Sequence, residues 1–215
     1  MNNNDNANAK QNTNPPLNPI ILASASPRRK ELLSAIGLVF DVIPSDIDET
    51  QVTDSDPCNY VKLLSELKAS HVARMYPEHW VIGADTIVLI DGQILGKPES
   101  IDHARMMLRC LSGRCHTVLT GYCLTCKQKS VLYSDVVQTR VLFKTLSEKE
   151  IDWYIVSGEP FDKAGAYGIQ AKGMFMIKEI YGSYTNVVGL PVCDILSMLI
   201  QYNIVDMDTY AISAN

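Results

Sequence analysis

Residues 80–90, with the sequence WVIGADTIVLI, constrain the fold of this chain more than any other segment. The run is almost wholly apolar, and Asp91 and Gly92 follow it as a two-residue hairpin turn. An apolar run of this length that ends at such a turn predicts a buried strand and then a second, short strand. Any fold of the chain must bury this strand and still accommodate the carboxylate of Asp85 in the middle of it.

The segments on either side of this strand alternate between strand and helix patterns. Ser26, Pro27 and Gly37 mark the two ends of one helix, and Ser147 with Glu150 forms a capping box for another. We predict strands over residues 20–23, 116–125 and 131–143, and helices over residues 27–36, 59–75, 101–111, 147–158 and from 191 onward. Because one strand pair has a hairpin pattern while other elements interleave, the sequence predicts an α/β protein with a mixed β-sheet.

The 215 residues suffice for one domain with a sizeable core. Residues 1–17 are Asn-rich and have no apolar periodicity, so we expect a disordered tail there. We expect a single catalytic domain over residues 18–205 and a C-terminal tail over 206–215. No segment has the pattern of a secretory signal or a membrane span, which makes the cytoplasm the expected location.

The net charge and the cysteine content exclude several classes of protein. The net charge of -5 argues against a general nucleic-acid or membrane-surface binder, because both need a broad basic face. Six cysteines are too sparse for a disulfide framework in a chain of this size. Cys123 and Cys126 form a single CxxC motif, but residues three apart on a strand face opposite sides, so we expect free structural thiols.

The segment Ser24-Ala25-Ser26-Pro27-Arg28-Arg29 joins the first predicted strand to the first predicted helix. The amides in the first turn of a helix have no partner within the helix, and the helix dipole there favours an anion. The guanidinium groups of Arg28 and Arg29 match phosphate oxygens. The segment therefore predicts an anion site, with a well-capped helix and two solvated arginines as the alternative.

Asp85 is the strongest single candidate for a catalytic residue. An unpaired carboxylate is costly to bury in an apolar strand, and Gly83 and Ala84 leave room for a ligand or a backbone to approach. We predict that Asp85 acts as a general base or a metal ligand and that the hydroxyl of Thr86 lies beside it. A structural pairing of Asp85 with a lysine or a backbone amide is the alternative.

Two lysines and one acidic segment add weaker indications. Lys68 falls on the apolar arc of its helix, formed by Tyr60, Val61, Leu64, Leu67, Val72 and Met75, where we also place His71 as a core histidine. Lys68 therefore needs an anionic partner or must extend to water. Gly96 and Pro98 flank Lys97, and the permissive glycine and the rigid proline fix the direction of its ammonium group. The acidic stretch ending in Glu49 matters only if one carboxylate helps to hold a hard cation; otherwise it is a solvated turn.

The loop over residues 163–173 is glycine-rich and poor in charge for a plain linker. This composition predicts close backbone approach to a ligand, with the Gln170 amide offered to a base or a sugar, or alternatively a tight structural turn.

Taken together, the blocks ILASASPRRKELLSAIGL, DIDET, KA, GADTIV, GKP, LSG, DKAGAYGIQ and NVVGLP strongly resemble the Maf family of nucleotide pyrophosphatases. The resemblance extends from about Pro19 to Tyr202. It implies an elongated fold akin to the inosine triphosphate pyrophosphatases, with two lobes around a deep cleft, a divalent cation (Mg²⁺ or Mn²⁺) and a possible homodimer. SPRR, GADT and GAYGIQ are similar to the branch that prefers dTTP and UTP, and differ from the branch that takes 7-methyl-GTP. Ala171 and Lys172 depart from the glycine that the family often has after the loop.

The same resemblance implies residue roles. Substrate binding falls to Ser24, Ser26, Arg28, Arg29, Thr86 and Gln170, catalysis to Asp85, Glu49, Lys68 and Lys97, and metal binding to Glu49 and Asp85. We expect hydrolysis of a nucleoside triphosphate to its monophosphate and pyrophosphate by water attack on the α-phosphorus. Which carboxylate is the base stays open. The alternatives are a nucleotide-binding regulator of septum formation and cell division with little turnover, and a phosphatase that releases single phosphates.

Overall fold

The computed structural model of the protein describes residues 18–207. The predicted tail over residues 1–17 lies outside the described residues, as does the predicted C-terminal tail beyond Met207. Across residues 18–207 there is no helix with the length and apolar character needed to cross a membrane. The chain forms an α/β structure in which helices pack on both faces of one mixed sheet.

The sheet is the frame on which the rest of the molecule is built. Its seven strands are β1 (Ile20–Leu22), β2 (Asp41–Val42), β3 (Trp80–Ile90), β4 (Gln93–Leu95), β5 (Cys115–Cys126), β6 (Val131–Phe143) and β7 (Ile177–Tyr181). Their order is β2-β1-β3-β5-β6-β7, and β4 pairs with β3. β1 runs parallel to β2 and β3, whereas β3, β5, β6 and β7 form successive antiparallel pairs. The predicted mixed sheet is confirmed.

The helices match the predicted pattern with two exceptions. They are α1 (Pro27–Ala35), α2 (Pro57–Met75), α3 (Ile101–Leu111), α4 (Glu148–Val156), α5 (Tyr184–Val188) and α6 (Val192–Gln201). α2 begins two residues before the predicted start, because the Asp56 carboxylate accepts a hydrogen bond from the Asn59 amide and caps the helix there. The sequence did not predict α5, whose five residues are too few for a helical period to be visible.

Local turn and cap signals are confirmed where they were strongest. Asp91 and Gly92 have positive φ angles of 49° and 76°, as a tight hairpin turn requires, and they join β3 to antiparallel β4. Ser147 and Glu150 form the predicted reciprocal capping box at the start of α4. Turns and helix caps can be predicted from the sequence because the interactions that stabilise them form between residues only a few positions apart.

Two hydrophobic cores lie at opposite ends of β3 and define two lobes. The β1 lobe packs α1 and α6 on the first half of β3, around Trp80, Ile82 and Ala84. The α3 lobe packs α3 and α4 on the second half of β3, around Val88 and Ile90. The apolar run of residues 80–90 therefore serves both cores, which explains its unusual length.

Helix α2 packs on the other face of the sheet at very short range. A Cβ atom at Gly83 would lie 2.8 Å from the Ala69 amide nitrogen and closer still to the Ser65 carbonyl oxygen. A Cβ atom at Gly121, on the neighbouring strand β5, would lie 2.7 Å from the Lys62 amide nitrogen. The space predicted beside Gly83 is thus occupied by a helix backbone, and the two glycines let α2 lie directly on β3 and β5.

This packing corrects the predicted apolar arc of α2. Leu67 and Met75 are exposed, and His71 is half-buried and no core residue. The face that meets the sheet consists of Val61, Leu64, Ser65, Lys68, Ala69, Val72 and Ala73. Small residues and the helix backbone form this contact in place of large side chains. The arc predicted from large apolar residues is therefore rotated by about one residue from the face that is buried.

The two cysteines of the CxxC motif lie on opposite faces of β5, as predicted. Cys123 packs in the cluster under α2, whereas Cys126 packs in the core of the β1 lobe. Burial raises the pKa of the Cys123 thiol to about 12. This thiol therefore stays protonated near neutral pH and cannot act as a thiolate ligand or nucleophile.

The close approach of α2 generates a stability prediction. Gly121→Ala forces the helix backbone to move, so we expect the free energy of unfolding to fall by about 1–3 kcal/mol. Gly96→Ala is the matched control, because an added Cβ there meets nothing within 4 Å. Urea denaturation of the two variants measures the difference, and equal midpoints would show that α2 does not depend on the glycine.

Candidate active site

The candidate site lies at an interruption in one edge of β3. Along that edge, β1 pairs with residues 80–82 and β4 pairs with residues 88–90, while β5 covers the opposite edge from 81 to 89. No strand in the described part of the chain pairs with residues 83–87 on the β1 side. A cavity of about 560 Å³ opens at this interruption, between the two lobes. It corresponds to the deep cleft expected from the resemblance.

The interruption explains how consecutive residues can serve one site. Asp85 and Thr86 project to opposite faces of β3, as successive strand residues do, yet both line the cavity. Asp85 lies on the α2 face, where it meets Lys68, and Thr86 lies on the opposite face, where it meets Arg29. Because no strand of the described residues pairs with them on the β1 side, both side chains reach the same cavity.

The chain segments that follow β1 and β4 enter the interruption, and both carry predicted site residues. Ser24, Ser26, Arg28 and Arg29 follow β1 and line the cavity, and Lys97 follows β4 and lines it from the other side. The Ser26 hydroxyl makes no capping hydrogen bond at the start of α1, and its amide donates to Ser24 Oγ at 3.2 Å. The first-turn amides of α1 therefore have no side-chain cap to compete with a bound anion.

Arg29 is held by three neutral oxygen atoms. Its Nε donates to the Gly189 carbonyl at 2.8 Å, its Nη1 to Ser24 Oγ at 3.0 Å and its Nη2 to Thr86 Oγ1 at 3.2 Å. Burial lowers the pKa of the guanidinium, and the charge of Asp85 acts in the opposite direction. No carboxylate in residues 18–207 forms an ion pair with it, so the positive charge of Arg29 is available to an anionic ligand.

Lys68 lies between the two predicted catalytic carboxylates. Its Nζ is 2.6 Å from Asp85 Oδ1 and 2.8 Å from Glu49 Oε1. Lys68 and Asp85 expose only 10% and 13% of their side chains, whereas Glu49, on a single 3₁₀ turn, exposes 53%. The anionic partner required for Lys68 is thus present, and the alternative of Asp85 paired with a lysine is observed too. An ion pair and a catalytic role are compatible, because all three groups line the cavity.

The α3 lobe contributes a carboxylate that the sequence did not indicate. Asp162 lines the cavity, and its Oδ2 lies 2.8 Å from Arg28 Nη1, which links the α3 lobe to helix α1 across the cleft. Lys163 contacts the same carboxylate. These contacts help hold the pKa of Asp162 below its usual value, although its partial burial acts in the opposite direction. The ion pair joins residues 134 positions apart, so no local pattern could have revealed it.

Gln170 is the one predicted site residue that the structure does not bring to the cavity. It precedes a 3₁₀ helix over Ala171–Met176 and is absent from the cavity wall. In this part of the chain, Asp162 and Ala164 line the cavity instead. The loop glycines serve packing within the protein, since a Cβ at Gly165 would meet Val88 at 2.9 Å. At Gly165 the loop backbone thus closely approaches the α3 core, while its approach to a ligand stays a prediction. Ala171 has a positive φ of 52°, which is the conformation that favours the family's glycine.

Tyr60 is a further wall residue that the apolar pattern concealed. It lines the cavity on the same face of α2 as Lys68, two turns earlier. Desolvation raises the pKa of its phenol, and the negative charges of Asp85 and Glu49 raise it further. The phenol therefore stays protonated near neutral pH and can donate a hydrogen bond inside the cavity.

The carboxylates fit a hard divalent cation only in combination with a ligand. No group of three or more potential metal-ligating side chains occurs among residues 18–207. Glu49 and Asp85 nevertheless converge on one point, the Lys68 ammonium. Mg²⁺ is commonly held by one or two carboxylates together with substrate phosphates and water, so this donor set is compatible with a cation that arrives with its substrate.

Comparison with known proteins is consistent with this geometry. The family model described as "Maf-like protein" matches residues 19–202. A protein of Syntrophus aciditrophicus named dTTP/UTP pyrophosphatase is 51% identical over 180 residues, which cover 84% of this chain and 88% of that protein. Proteins with the same name from Geotalea uraniireducens and Bacillus cereus are 48% and 47% identical, covering 84% and 86% of this chain and 93% and 96% of their own lengths.

The chain belongs to the Maf-like family. The resemblance stated from the motif blocks is thereby confirmed over the predicted extent. In this Maf-like protein, the SASPRR block follows β1, GADT lies at the unpaired edge of β3, and GKP follows β4. Three separated motifs thus meet at one interruption of the sheet.

The charges in the cavity generate a binding prediction. Arg28 and Lys97 line the cavity, whereas Lys30 points to solvent from the same helix as Arg28. We expect Arg28→Gln and Lys97→Gln each to weaken the binding of inorganic tripolyphosphate by about 5- to 50-fold, since each removes a charged hydrogen-bond donor. Lys30→Gln is the matched control for net charge. Calorimetric titration measures all three, and an equal loss in Lys30→Gln would mean that only overall charge matters.

Proposed function

We propose that this Maf-like protein hydrolyses dTTP and UTP to the nucleoside monophosphate and pyrophosphate. The observation that carries the proposal is the position of Asp85, a carboxylate at the unpaired edge of β3 with cationic side chains on both sides of it. The relatives named dTTP/UTP pyrophosphatase, at 46–51% identity, support the substrate class. A cavity of about 560 Å³ is also in the range of nucleotide-sized ligand sites.

The reaction requires a nucleophile and a place for its proton. A water oxygen attacks the α-phosphorus, the bond from the α-phosphorus to the bridging oxygen breaks, and pyrophosphate leaves with that oxygen. Asp85 is the better placed of the two carboxylates to orient the water and accept its proton, because the rigid strand β3 fixes it, whereas Glu49 lies on an exposed turn. Lys68 holds both carboxylates in their orientation through its two ion pairs.

Charge neutralisation supplies the second part of catalysis. Phosphoryl transfer depends mainly on positioning and on stabilising charge at the phosphate oxygens. Arg29 presents a guanidinium that no carboxylate neutralises, and Lys97 makes no ion pair within residues 18–207. Arg28 is paired with Asp162 in the ligand-free protein and can exchange that carboxylate for a phosphate. These groups and the first-turn amides of α1 would stabilise the charge that develops on pyrophosphate.

A divalent cation, Mg²⁺ or Mn²⁺, belongs to this proposal. Glu49 and Asp85 would hold it together with phosphate oxygens of the substrate. When bound, it supplies Lewis-acid stabilisation of phosphate charge. Lys68 lies at the point where the two carboxylates converge, so its ammonium would share them with such a cation and add positive charge beside the substrate phosphates.

The assignment of Asp85 can be tested with an isosteric variant. Asp85→Asn should lower kcat by at least about 100-fold, because it removes the proton acceptor while it preserves the shape of the side chain. Asp91→Asn is the matched control, since Asp91 lies in the hairpin turn and, within residues 18–207, forms its ion pair with Arg114 alone. Ion-exchange chromatography of dTTP and UTP digests measures the monophosphate and pyrophosphate. Retention of most activity in Asp85→Asn would overturn the assignment.

The same assay separates the proposed function from its alternatives. Preferential cleavage of 7-methyl-GTP would keep the reaction and change the substrate class. Release of single phosphates would indicate a phosphatase. Nucleotide binding without turnover of any triphosphate would favour the regulator of cell division over the enzyme.

Metal removal tests the cation. We expect EDTA to abolish turnover and Mg²⁺ or Mn²⁺ to restore it, because Glu49 and Asp85 add negative charge beside the triphosphate that a divalent cation offsets. Glu49→Gln should raise the concentration of Mg²⁺ required for half-maximal activity by about 10-fold or more. An unchanged requirement would remove Glu49 from the metal site.

A further inference from the structure

A closed circuit of buried hydrogen bonds surrounds the inner side of Arg29. Thr86 and Thr120 lie directly opposite each other on β3 and β5, and their hydroxyl oxygens are 3.0 Å apart. Thr120 Oγ1 donates to the Asn186 carbonyl in α5 at 3.1 Å, and the Gly189 amide donates to the same carbonyl at 3.0 Å. The Gly189 carbonyl accepts from Arg29 Nε, so the circuit returns to Arg29.

The donors in this circuit are assigned from the Asn186 carbonyl, which can only accept. When Thr120 donates its single proton to that carbonyl, Thr86 is the donor in the contact between the two hydroxyls, where the geometry suits either as donor. The Thr86 oxygen accepts from Arg29 Nη2. Every bond then points away from the positive charge, an arrangement in which hydrogen bonds polarise and strengthen one another.

Helix α5 is fixed to the sheet independently of Arg29. The Asn186 side chain is fully buried, and its Nδ2 donates to Thr139 Oγ1 at 3.0 Å and to the Val118 carbonyl at 3.3 Å. Thr139 in turn accepts from the Ser183 amide and donates to the Ser183 carbonyl at the start of α5. The carbonyls that α5 presents to Arg29 and Thr120 are thus anchored to β5 and β6.

We propose that Thr120 is a positioning residue for the phosphate-binding guanidinium of Arg29, acting through Thr86 and α5. Thr120 is fully buried and does not line the cavity, so it cannot touch a ligand itself. Its hydroxyl fixes the Thr86 oxygen that Arg29 contacts and links it to the helix that carries the second acceptor. The inference rests on the proposed function in one respect, the role of Arg29 in binding phosphate.

The physical effect is on the entropy of binding. Arginine has many rotamers, and ordering such a side chain on binding opposes association. Arg29 is already ordered by neutral partners, which fix its plane without cancelling its charge. Loss of the Thr120 hydroxyl leaves the Gly189 carbonyl, already 3.3 Å away, as the acceptor for the Thr86 proton, and it removes one of the constraints on Nη2.

The test replaces the hydroxyl without changing the size of the side chain. Thr120→Val should raise the Kd for inorganic tripolyphosphate and the KM for dTTP by about 3- to 10-fold, while kcat changes by less than about two-fold. Thr120→Ser keeps the hydroxyl and should restore wild-type values. Thr125→Val is the matched control on the same strand, because Thr125 is also buried but donates to the Val131 carbonyl, away from the cavity. If Thr120→Val does not fold, Thr120→Ala replaces it.

A double-variant cycle determines whether Thr120 acts through Arg29. In an Arg29→Lys background the circuit has already lost its guanidinium, so Thr120→Val should change the tripolyphosphate Kd by less than about two-fold. An equal shift in both backgrounds, no shift in either, or the same shift in Thr125→Val would overturn the proposal. Because tripolyphosphate binding needs no turnover, a protein that binds it through Thr120 yet does not cleave dTTP would refute the proposed function alone.

Discussion

The contact between α2 and the sheet is the constraint on which the rest of this structure depends. Gly83 and Gly121 remove the side chains that would hold the helix away from β3 and β5. The helix backbone then lies close enough for Lys68, almost completely buried, to reach Asp85 at 2.6 Å. A buried lysine and a carboxylate within an apolar strand are each unfavourable alone. The short helix-to-sheet distance lets each of them satisfy the other, so packing and site chemistry have the same origin.

The incomplete edge of β3 turns this packing into a site. A fully paired strand would direct Asp85 and Thr86 into separate compartments on the two faces of the sheet. Because the pairing of β3 with β1 ends at residue 82 and its pairing with β4 begins at residue 88, the two side chains face one cavity. The chain segments that follow β1 and β4 place cationic side chains in it. A separate hydrophobic core lies on either side of the interruption, and the ion pair between Asp162 and Arg28 links the two sides across it.

The features that the sequence predicts correctly are those stabilised by interactions between residues close together in the chain. Capping residues, the Asp91-Gly92 turn and the apolar run of β3 specify structure within a few residues, and these predictions hold. Asp85 and Lys68 were visible because an ionisable group in an apolar pattern requires a partner. Asp162, Tyr60 and helix α5 were not visible, since their roles come from contacts between distant segments. Gln170 lies outside the cavity wall, and its role stays a prediction; glycines that pack against their own core, as Gly165 does, resemble in sequence glycines that approach a ligand.

The balance of charge in the cavity explains how an acidic protein can receive a polyanion. Four cationic side chains line the cavity, Arg28, Arg29, Lys68 and Lys97, against three carboxylates, Glu49, Asp85 and Asp162. The carboxylates are all committed to Lys68 or Arg28, which leaves Arg29 and Lys97 uncompensated on opposite sides of the interruption. An incoming phosphate therefore meets positive charge first at the two groups that need not break an ion pair. Exchange at Arg28 and Lys68 can follow once the ligand is bound, so under the proposed function phosphate binding would free the Asp85 carboxylate from its ion pair with Lys68.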